Sequence, residues 1–559
     1  MMIFQKLLPR TATKRKSFNR AVVALLVGAA PMLGVSQVQG QSSTTANFGD
    51  QGSAVSGLGG SGTTFAPASS TAYATDPSTA YAPAEGSMLQ SQAADASAYQ
   101  MIDPAATHQP CGCPECQAAA AGMPKPKKDK PNPCAKSHKV LFYANDFSYL
   151  DDPNYNGSCL GDAFKGIGPR GNVDIGGQLR FRYHTERGLG QQAGATRFQD
   201  TQNDFLLARL RLYADWRISD RLRLYTEGIY ADVLTRNREF VPRAIDVNQG
   251  DLLNFFLDVG VTENATVRLG RQELLFGSQR VLSPLDWSNT RRTFDGVRLL
   301  QRYGDVDIDW FYTQFVPVSP RNFDNSDDGN ELYGFYSSIR RLPNSTLDLY
   351  ALAQNVSQGL ASDRSTVTYG SRISGGKNDW LWDFEGAVQL GDFDDGREVD
   401  AGFWTAGLGR SFKDFAWKPT LWFYYDFATG DRANGETTSF NELFPLGHKY
   451  LGFIDAVQRN NIKSPNVLLK MAPTKRLSLL LWYYNFNAAE QEDNVLALGG
   501  TPAQDPTAAD FGNELDFIAT YQVSPRSSLL AGYSHLWAGD KIINGEDADF
   551  FYLQWQTNF

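Results

Sequence analysis

From Asn172 onward the chain alternates. Val173, Ile175, Leu179, Phe181 and Tyr183 interleave with Asp174, Gln178, Arg180, Arg182 and His184, so an extended segment has one apolar and one polar face. Runs of about ten residues with this period of two are the mark of a transmembrane β-strand, apolar side to lipid and polar side to a lumen. The pattern recurs in Leu206–Trp216, Leu222–Tyr230, Leu253–Val261, Ala265–Leu275, Phe294–Tyr303, Val306–Phe315, Leu332–Arg341 and Leu347–Asn355. It continues in Val367–Gly375, Leu381–Leu390, Val399–Phe412, Trp417–Thr429, Ser464–Ala472, Leu477–Asn487, Glu514–Val523, Ser527–Ala538 and Phe550–Phe559. Leu477–Asn487 and Ser527–Ala538 alternate poorly, so their inward faces stay undefined. The expectation is an all-β fold, a transmembrane antiparallel β-barrel of about eighteen strands, behind a largely disordered N-terminal extension.

The connections sharpen that picture. Short links, such as Ser219-Asp220, Glu263-Asn264, Gly304-Asp305, Pro343-Asn344, Lys377-Asn378, Lys413-Asp414, Pro473-Thr474 and Ser524-Pro525, alternate with long ones. The long links include Glu186–Asn203, Thr235–Asp251, Phe276–Arg292, Val316–Asn330, Gly430–Lys463 and Ala488–Gly512. Outer-membrane barrels have short periplasmic turns and long extracellular loops, and a soluble sandwich has no reason to alternate so. The last strand sets Phe551, Leu553, Trp555 and Phe559 on one face, ending in the aromatic that outer-membrane insertion favours. Trp216, Trp310, Trp380, Trp404, Trp417 and Trp482 lie near strand ends, as in an interfacial girdle.

Composition adds limits. Mean hydropathy is −0.36 with 20% charged residues, so no bundle of membrane helices is indicated. A net charge of −9 argues against nucleic acid as a partner. Lys14, Arg15, Lys16 and Arg20 precede the apolar stretch Ala21–Ala30, so residues 1–40 read as an export signal cleaved before Gln41. Residues 41–165 read as a low-complexity, cysteine-containing periplasmic extension or linker, and 166–559 as the barrel. Cys111, Cys113, Cys116, Cys134 and Cys159 would sit in an oxidising compartment, where disulfides are the default. Four thiolates binding a soft metal is the alternative, and the odd count leaves one thiol over.

Two stretches are long and unusual enough to compare with a family. Val267–Leu299 (VRLGRQELLFGSQRVLSPLDWSNTRRTFDGVRL) reads as strand, loop and strand, and closely resembles the signature region of the alginate export family of outer-membrane proteins. Phe440–Ile462 (FNELFPLGHKYLGFIDAVQRNNI) resembles a second signature of that family. The resemblance covers roughly residues 170–559. It implies an outer-membrane barrel with a narrow, arginine-lined conduit for an anionic polysaccharide, working outward within a secretion assembly. A porin of the same architecture for small carboxylates or other nutrients is the rival, and a barrel anchoring the extension to the envelope is a third reading.

Parity selects the lumen candidates. Inward cations fall early: Arg180, Arg182, Arg209, Arg211, Arg223, Arg268, Arg298 and Arg302. Inward acids fall mostly later: Asp305, Asp307, Asp309, Asp348, Asp383, Glu385, Asp426 and Asp516. Asp174, Asp215, Glu227, Asp258, Arg410 and Lys470 are exceptions to that division. Arginine stays charged and grips carboxylates bidentately, so a basic arc would select anions, unless it only braces the wall against acids. Eighteen strands are expected to leave an aqueous channel. The mouth loop, with Trp287, Arg291 and Arg292, is expected to fold inward and narrow it, or else to pack on its neighbours with Arg292 paired to Asp286 or Asp295. Asp324, Ser326 and Asp328 begin a calcium-loop pattern, but its twelfth position is Phe335. A solvated loop tip is expected there, with a weak extracellular calcium site as the alternative. No other cofactor is expected. Membrane lipid, the polysaccharide and periplasmic envelope partners reached through the extension are the partners implied. His108, His138, His184, His448 and His535 are not tied to a nucleophile by spacing, so no enzyme is expected.

Overall fold

A computed structural model describes residues 132–189, 198, 202–238, 240–360, 363–432, 437–496 and 501–559. Eighteen strands form one antiparallel sheet. In chain order they are β1 Val173–Arg187, β2 Asn203–Ser219, β3 Leu222–Arg236, β4 Asn248–Thr262, β5 Ala265–Gln272 and β6 Thr293–Tyr303. Next come β7 Val306–Val316, β8 Asn330–Ile339, β9 Ser345–Val356, β10 Arg364–Lys377, β11 Trp380–Phe393 and β12 Glu398–Ser411. The last are β13 Thr420–Ala428, β14 Ile462–Met471, β15 Leu477–Ala488, β16 Asp510–Ser524, β17 Ser527–Ala538 and β18 Ala548–Asn558. Each strand pairs with its neighbours in sequence, and β18 closes on β1 through Gln178↔Asn558 to Arg187↔Asp549. Closure satisfies every sheet edge, which is what lipid demands of a backbone.

Parity holds along β1 and β2. Arg180, Arg182, Arg209 and Arg211 are buried on the inner face, while Leu212 (48% exposed) and Leu553 (49%) are turned outward. So contiguous an apolar exterior needs lipid around it. Arg410 departs from the expected lumen set: it shares the outward face of Leu408 and lies over the Trp380 ring. The strand expected from Trp417 starts at Thr420, because Trp417 and Lys418 have left-handed backbones (φ 63° and 45°) ahead of Pro419. The link 412–419 is therefore longer than 394–397 on the opposite rim, and the short–long alternation fails there.

Two larger corrections concern the interior. The lumen is packed rather than left as an open aqueous channel. Loop 273–292 and loop 429–461 both fold inward and share one apolar core with inward side chains of the wall, including Leu282, Trp287, Phe444, Leu446 and Tyr450. Leu282 and Phe444 bridge the two loops as a short parallel pair. Residues 132–165, expected to be irregular linker, also enter the barrel, as short 3-10 turns at Pro133–Lys136, Phe142–Ala144, Ser148–Asp151 and Asp162–Phe164. A Cys134–Cys159 disulfide ties this segment together. That pairing takes Cys134 out of the four-thiolate alternative; Cys111, Cys113, Cys116 and His108 lie outside the described residues. The inner wall supplies what the plug's own composition lacks. Phe142 and Tyr143 form a small core with Tyr213, Tyr225 and Phe256 of β2–β4. At the short-link rim, Arg526 bonds the Leu160 carbonyl and Asp162, and Gly161 sits where a Cβ would strike the Phe559 backbone.

Candidate functional site

The inner arginines divide by what they hold. For Arg180, Arg182 and Arg209 of β1 and β2 the mouth loop supplies most of the acceptors. Arg180 donates to the carbonyls of Asp286 (2.9 Å), Trp287 (3.1 Å) and Ser288 (2.6 Å). Arg182 donates to the Trp287 carbonyl at 2.8 Å and lies 3.5 Å over its ring. Arg209 reaches the Asp286 carbonyl (2.9 Å), the Ser288 carbonyl (3.0 Å) and the Asp286 carboxylate (2.9 Å). Backbone carbonyls presented in a row can satisfy guanidinium donors much as a carboxylate does, with less charge. Trp287 is clamped further by His448, stacked at 4.8 Å, and by the edge of Tyr552 at 4.9 Å. Burial and the Arg182 charge hold the His448 imidazole neutral, well below its ordinary range.

On β3–β5 the acceptors are wall carboxylates plus the plug. Arg223 grips Asp215 bidentately (2.7 and 2.8 Å) and donates to the Tyr143 carbonyl at 2.6 Å. Arg268 grips Asp258 bidentately (2.7 and 2.8 Å) and faces the Tyr143 and Phe256 rings at 4.4 and 3.7 Å. Arg211 of β2 bonds Glu227 at 2.6 Å and lies 3.8 Å over Phe142. Arg298 pairs with Asp309 at 3.1 Å, and Arg302, nearer the short-link rim with its side chain 42% exposed, pairs with the same residue at 3.0 Å.

Plug and mouth loop meet in mid-lumen. The Tyr143 hydroxyl donates to the Glu273 carbonyl at 2.9 Å, and Arg291 donates to the Val140 carbonyl at 3.2 Å. Arg291 also bonds Glu273 and Asp286. Arg292 donates to the carbonyls of Ser283 (3.2 Å) and Pro445 (3.3 Å), not to Asp286 or Asp295, which are taken by Arg209 and Arg291 and by Arg271. Burial, then the neighbouring Arg211, lowers the Arg291 pKa. Towards the short-link rim, burial, with Arg526 and Lys165 nearby, drives His138 of the plug down to about 3.

Sequence reading missed Arg280 and Arg459. Both belong to the inward loops and cross to the acidic wall: Arg280 to Asp383 (3.0 Å) and Glu385 (2.9 Å), Arg459 to Asp426 (2.8 Å). Their place in the two signatures was the available signal; their direction was not. The calcium-pattern residues do not converge. Asp324 accepts from Asn248 and the Ser319 amide, and Asp327 rather than Asp328 bonds the Gly329 amide. Among the described residues no cluster of three or more His, Cys, Asp or Glu is arranged to hold a metal.

Solved structures with similar folds include OccD3 (OpdP) of Pseudomonas aeruginosa, 13% identical over 71% of this chain and 94% of that one (TM-score 0.49). OccAB2 of Acinetobacter baumannii is 12% identical over 69% and 98% (TM-score 0.49). OprD of Pseudomonas aeruginosa is 12% identical over 69% and 93% (TM-score 0.46). No curated protein sequence matches the chain. The family model described as alginate export matches residues 172–554, from the first strand into the last. With that match spanning most of the chain and the barrel closed around both signature loops, this protein belongs to the alginate export family and is an outer-membrane channel.

Proposed function

We propose that this channel conducts an acidic polysaccharide of the alginate type, outward, and that the state described is its closed one. The observation that carries the reading is the occupancy of the basic arc. Arg180, Arg182 and Arg209 are gripped by carbonyls of the mouth loop, and Arg223 by a carbonyl of the plug. Groups that bind the chain's own oxygens in a row can bind a file of carboxylates once loop and plug withdraw. The extension ahead of the plug is the handle through which periplasmic secretion partners would act. The reading assigns no catalytic role to any residue.

The rival, a porin for small carboxylates, draws support from the tightness of the lumen: Arg180 and Arg182 are at most 3% exposed. Planar-bilayer recording of the full chain separates the two. Expected are rare openings in salt alone and discrete, concentration-dependent interruptions of those openings by polymannuronate. Steady acetate conductance indifferent to polymannuronate would overturn the polysaccharide reading in favour of the porin.

A further inference from the structure

Four inward tyrosines of the wall and one inward tryptophan use one device. Each ring lies against a glycine of a neighbouring strand, where a Cβ would collide with it. The pairs include Tyr213 on Gly176, Tyr350 on Gly370, Tyr552 on Gly532, Tyr424 on Gly407 and Trp422 on Gly409. A Cβ at Gly407 would come 2.1 Å from Tyr424 Cε1, and one at Gly409 2.4 Å from Trp422 Cδ2. The missing side chain lets the ring lie flat, one face on the wall and the other towards the lumen. At Tyr213, Tyr350 and Tyr552 the free face is covered, and each ring is at most 3% exposed. Trp422 and Tyr424 are only partly buried. They stand next to each other at 5.2 Å with planes 15° apart. The run continues to Trp482 (6.2 Å from Tyr424), which is buried.

We infer that Trp422 and Tyr424 are a stacking platform for the C–H faces of pyranose rings, a sugar subsite on the wall opposite the basic arc. It deepens the proposed function and rests on it. An aromatic face is an apolar, slightly negative surface that suits the C–H face of a sugar and does not suit a carboxylate. The neighbouring groups agree. Asp383 occupies the same cross-strand row as Gly407 and Tyr424, and Thr405 with Asp426 lies one row further in. Asp383 is already paired with Arg280 and Arg372, and Asp426 with Arg459, so the cations beside the platform are engaged by acids, whereas the arginines of the basic arc line the opposite wall. A polyuronate threading between the two walls would turn its carboxylates to the arginines and its ring faces to Trp422 and Tyr424. One wall reads charge and the other reads the sugar.

Saturation-transfer NMR on the full chain in detergent, with hexamannuronate as ligand and polyglutamate of matched charge as control, tests this. In the unaltered protein, saturation should pass to the sugar ring protons. Trp422→Leu with Tyr424→Leu should weaken hexamannuronate binding by about tenfold or more and leave polyglutamate unchanged. Because the leucine pair also changes packing, Trp422→Phe with Tyr424→Phe keeps both rings and should bind as the unaltered protein does, and Gly409→Ala, which lifts the Trp422 ring off the wall, should weaken binding in a protein that still closes its barrel. Equal loss of both polymers, or Gly409→Ala and the leucine pair both binding normally, overturns the platform. If polymannuronate still interrupts the bilayer current while the leucine pair binds normally, the subsite fails and the polysaccharide channel stands; if hexamannuronate binds nowhere and interrupts nothing, both fail.

Discussion

Removing the Tyr143 side chain should open the channel. Tyr143 is 9% exposed, with ring centroids 5.8 Å from Tyr225 and 5.2 Å from Phe256, the Arg268 guanidinium 4.4 Å from its ring and its hydroxyl bonded to the Glu273 carbonyl. Truncating a buried aromatic to alanine costs about 3–5 kcal/mol. The hydroxyl bond and the cation–π contact would each add about 1 kcal/mol in isolation, but they share the same burial and do not sum. About 4 kcal/mol is a fair figure, and it falls on the docking of the plug because the strands around it remain paired. At about 1.4 kcal/mol per factor of ten, Tyr143→Ala should raise the undocked fraction by roughly two to three orders of magnitude. Single-channel recording should show longer and more frequent openings. Hydrogen exchange should accelerate at the amides of Ala144, Asn145 and Asp146, now bonded to Leu141, Phe142 and Ser137 carbonyls. A folded Tyr143→Ala protein with unchanged openings and unchanged exchange at those amides would refute the plug as a gate.

Three further outcomes are expected. Cys134→Ser with Cys159→Ser opens the loop closed by the disulfide and should destabilise the plug by about 3 kcal/mol, read as faster exchange over 132–165 while the barrel keeps its heat resistance. His138 has its folded pKa lowered to about 3 from 6.5, so the undocked plug takes up the proton first; docking is fully stable above pH 6.5, weakens as pH falls, and should have lost about 2–3 kcal/mol at pH 4.5, an effect that His138→Gln removes from the exchange profile. Glu442 is the opposite case: burial raises it to about 7, one oxygen accepts from the Arg459 amide and the other is buried without a hydrogen-bond partner among the described residues. The folded loop therefore binds the proton more tightly, its packing is firmest below pH 4.5 and weakens by up to about 3 kcal/mol as pH rises through 7, and Glu442→Gln should abolish that loss of exchange protection, corrected for the intrinsic rate, in loop 429–461.

What the sequence makes legible follows from periodicity. Alternation needs only local residues, so β1 with Arg180 and Arg182 inward could be read directly, and link lengths then fixed which ends lie on which rim. Trp417 shows the limit, since an aromatic favours a strand until Pro419 and a left-handed backbone take it out. The plug was illegible for another reason. Its apolar run Val140–Tyr143 is too short to carry a period, and its partners Tyr225, Phe256 and Arg268 lie far along the chain on three different strands. The mouth loop's grip on the arginines was hidden too, because the acceptors are carbonyls of Asp286, Trp287 and Ser288 and a reading of side chains cannot count backbone oxygens. The flat rings over Gly407 and Gly409 depend on cross-strand register, which no single strand declares.

The two kinds of internal partner make the arginines unequal. Arg268 holds Asp258 in a bidentate pair, so an arriving carboxylate would have to replace a carboxylate already paid for by folding. Arg180 bonds, among the described residues, only to neutral oxygens: three backbone carbonyls and the Asn289 side-chain carbonyl at 3.5 Å. A carboxylate offers the guanidinium a full opposite charge and bidentate geometry where a carbonyl offers only a dipole, so at Arg180 an acidic ligand improves on what it displaces. The same exchange at Arg268 gains nothing. Under the mouth loop Arg180 is thus held by neutral stand-ins for a carboxylate, while its neighbour Arg209 has the Asp286 carboxylate and the end over the plug is braced by carboxylates of the wall. A polyanion that reaches the mouth loop meets a guanidinium that binds it better than the loop does, and withdrawal of the loop follows from that difference rather than from any strain within it.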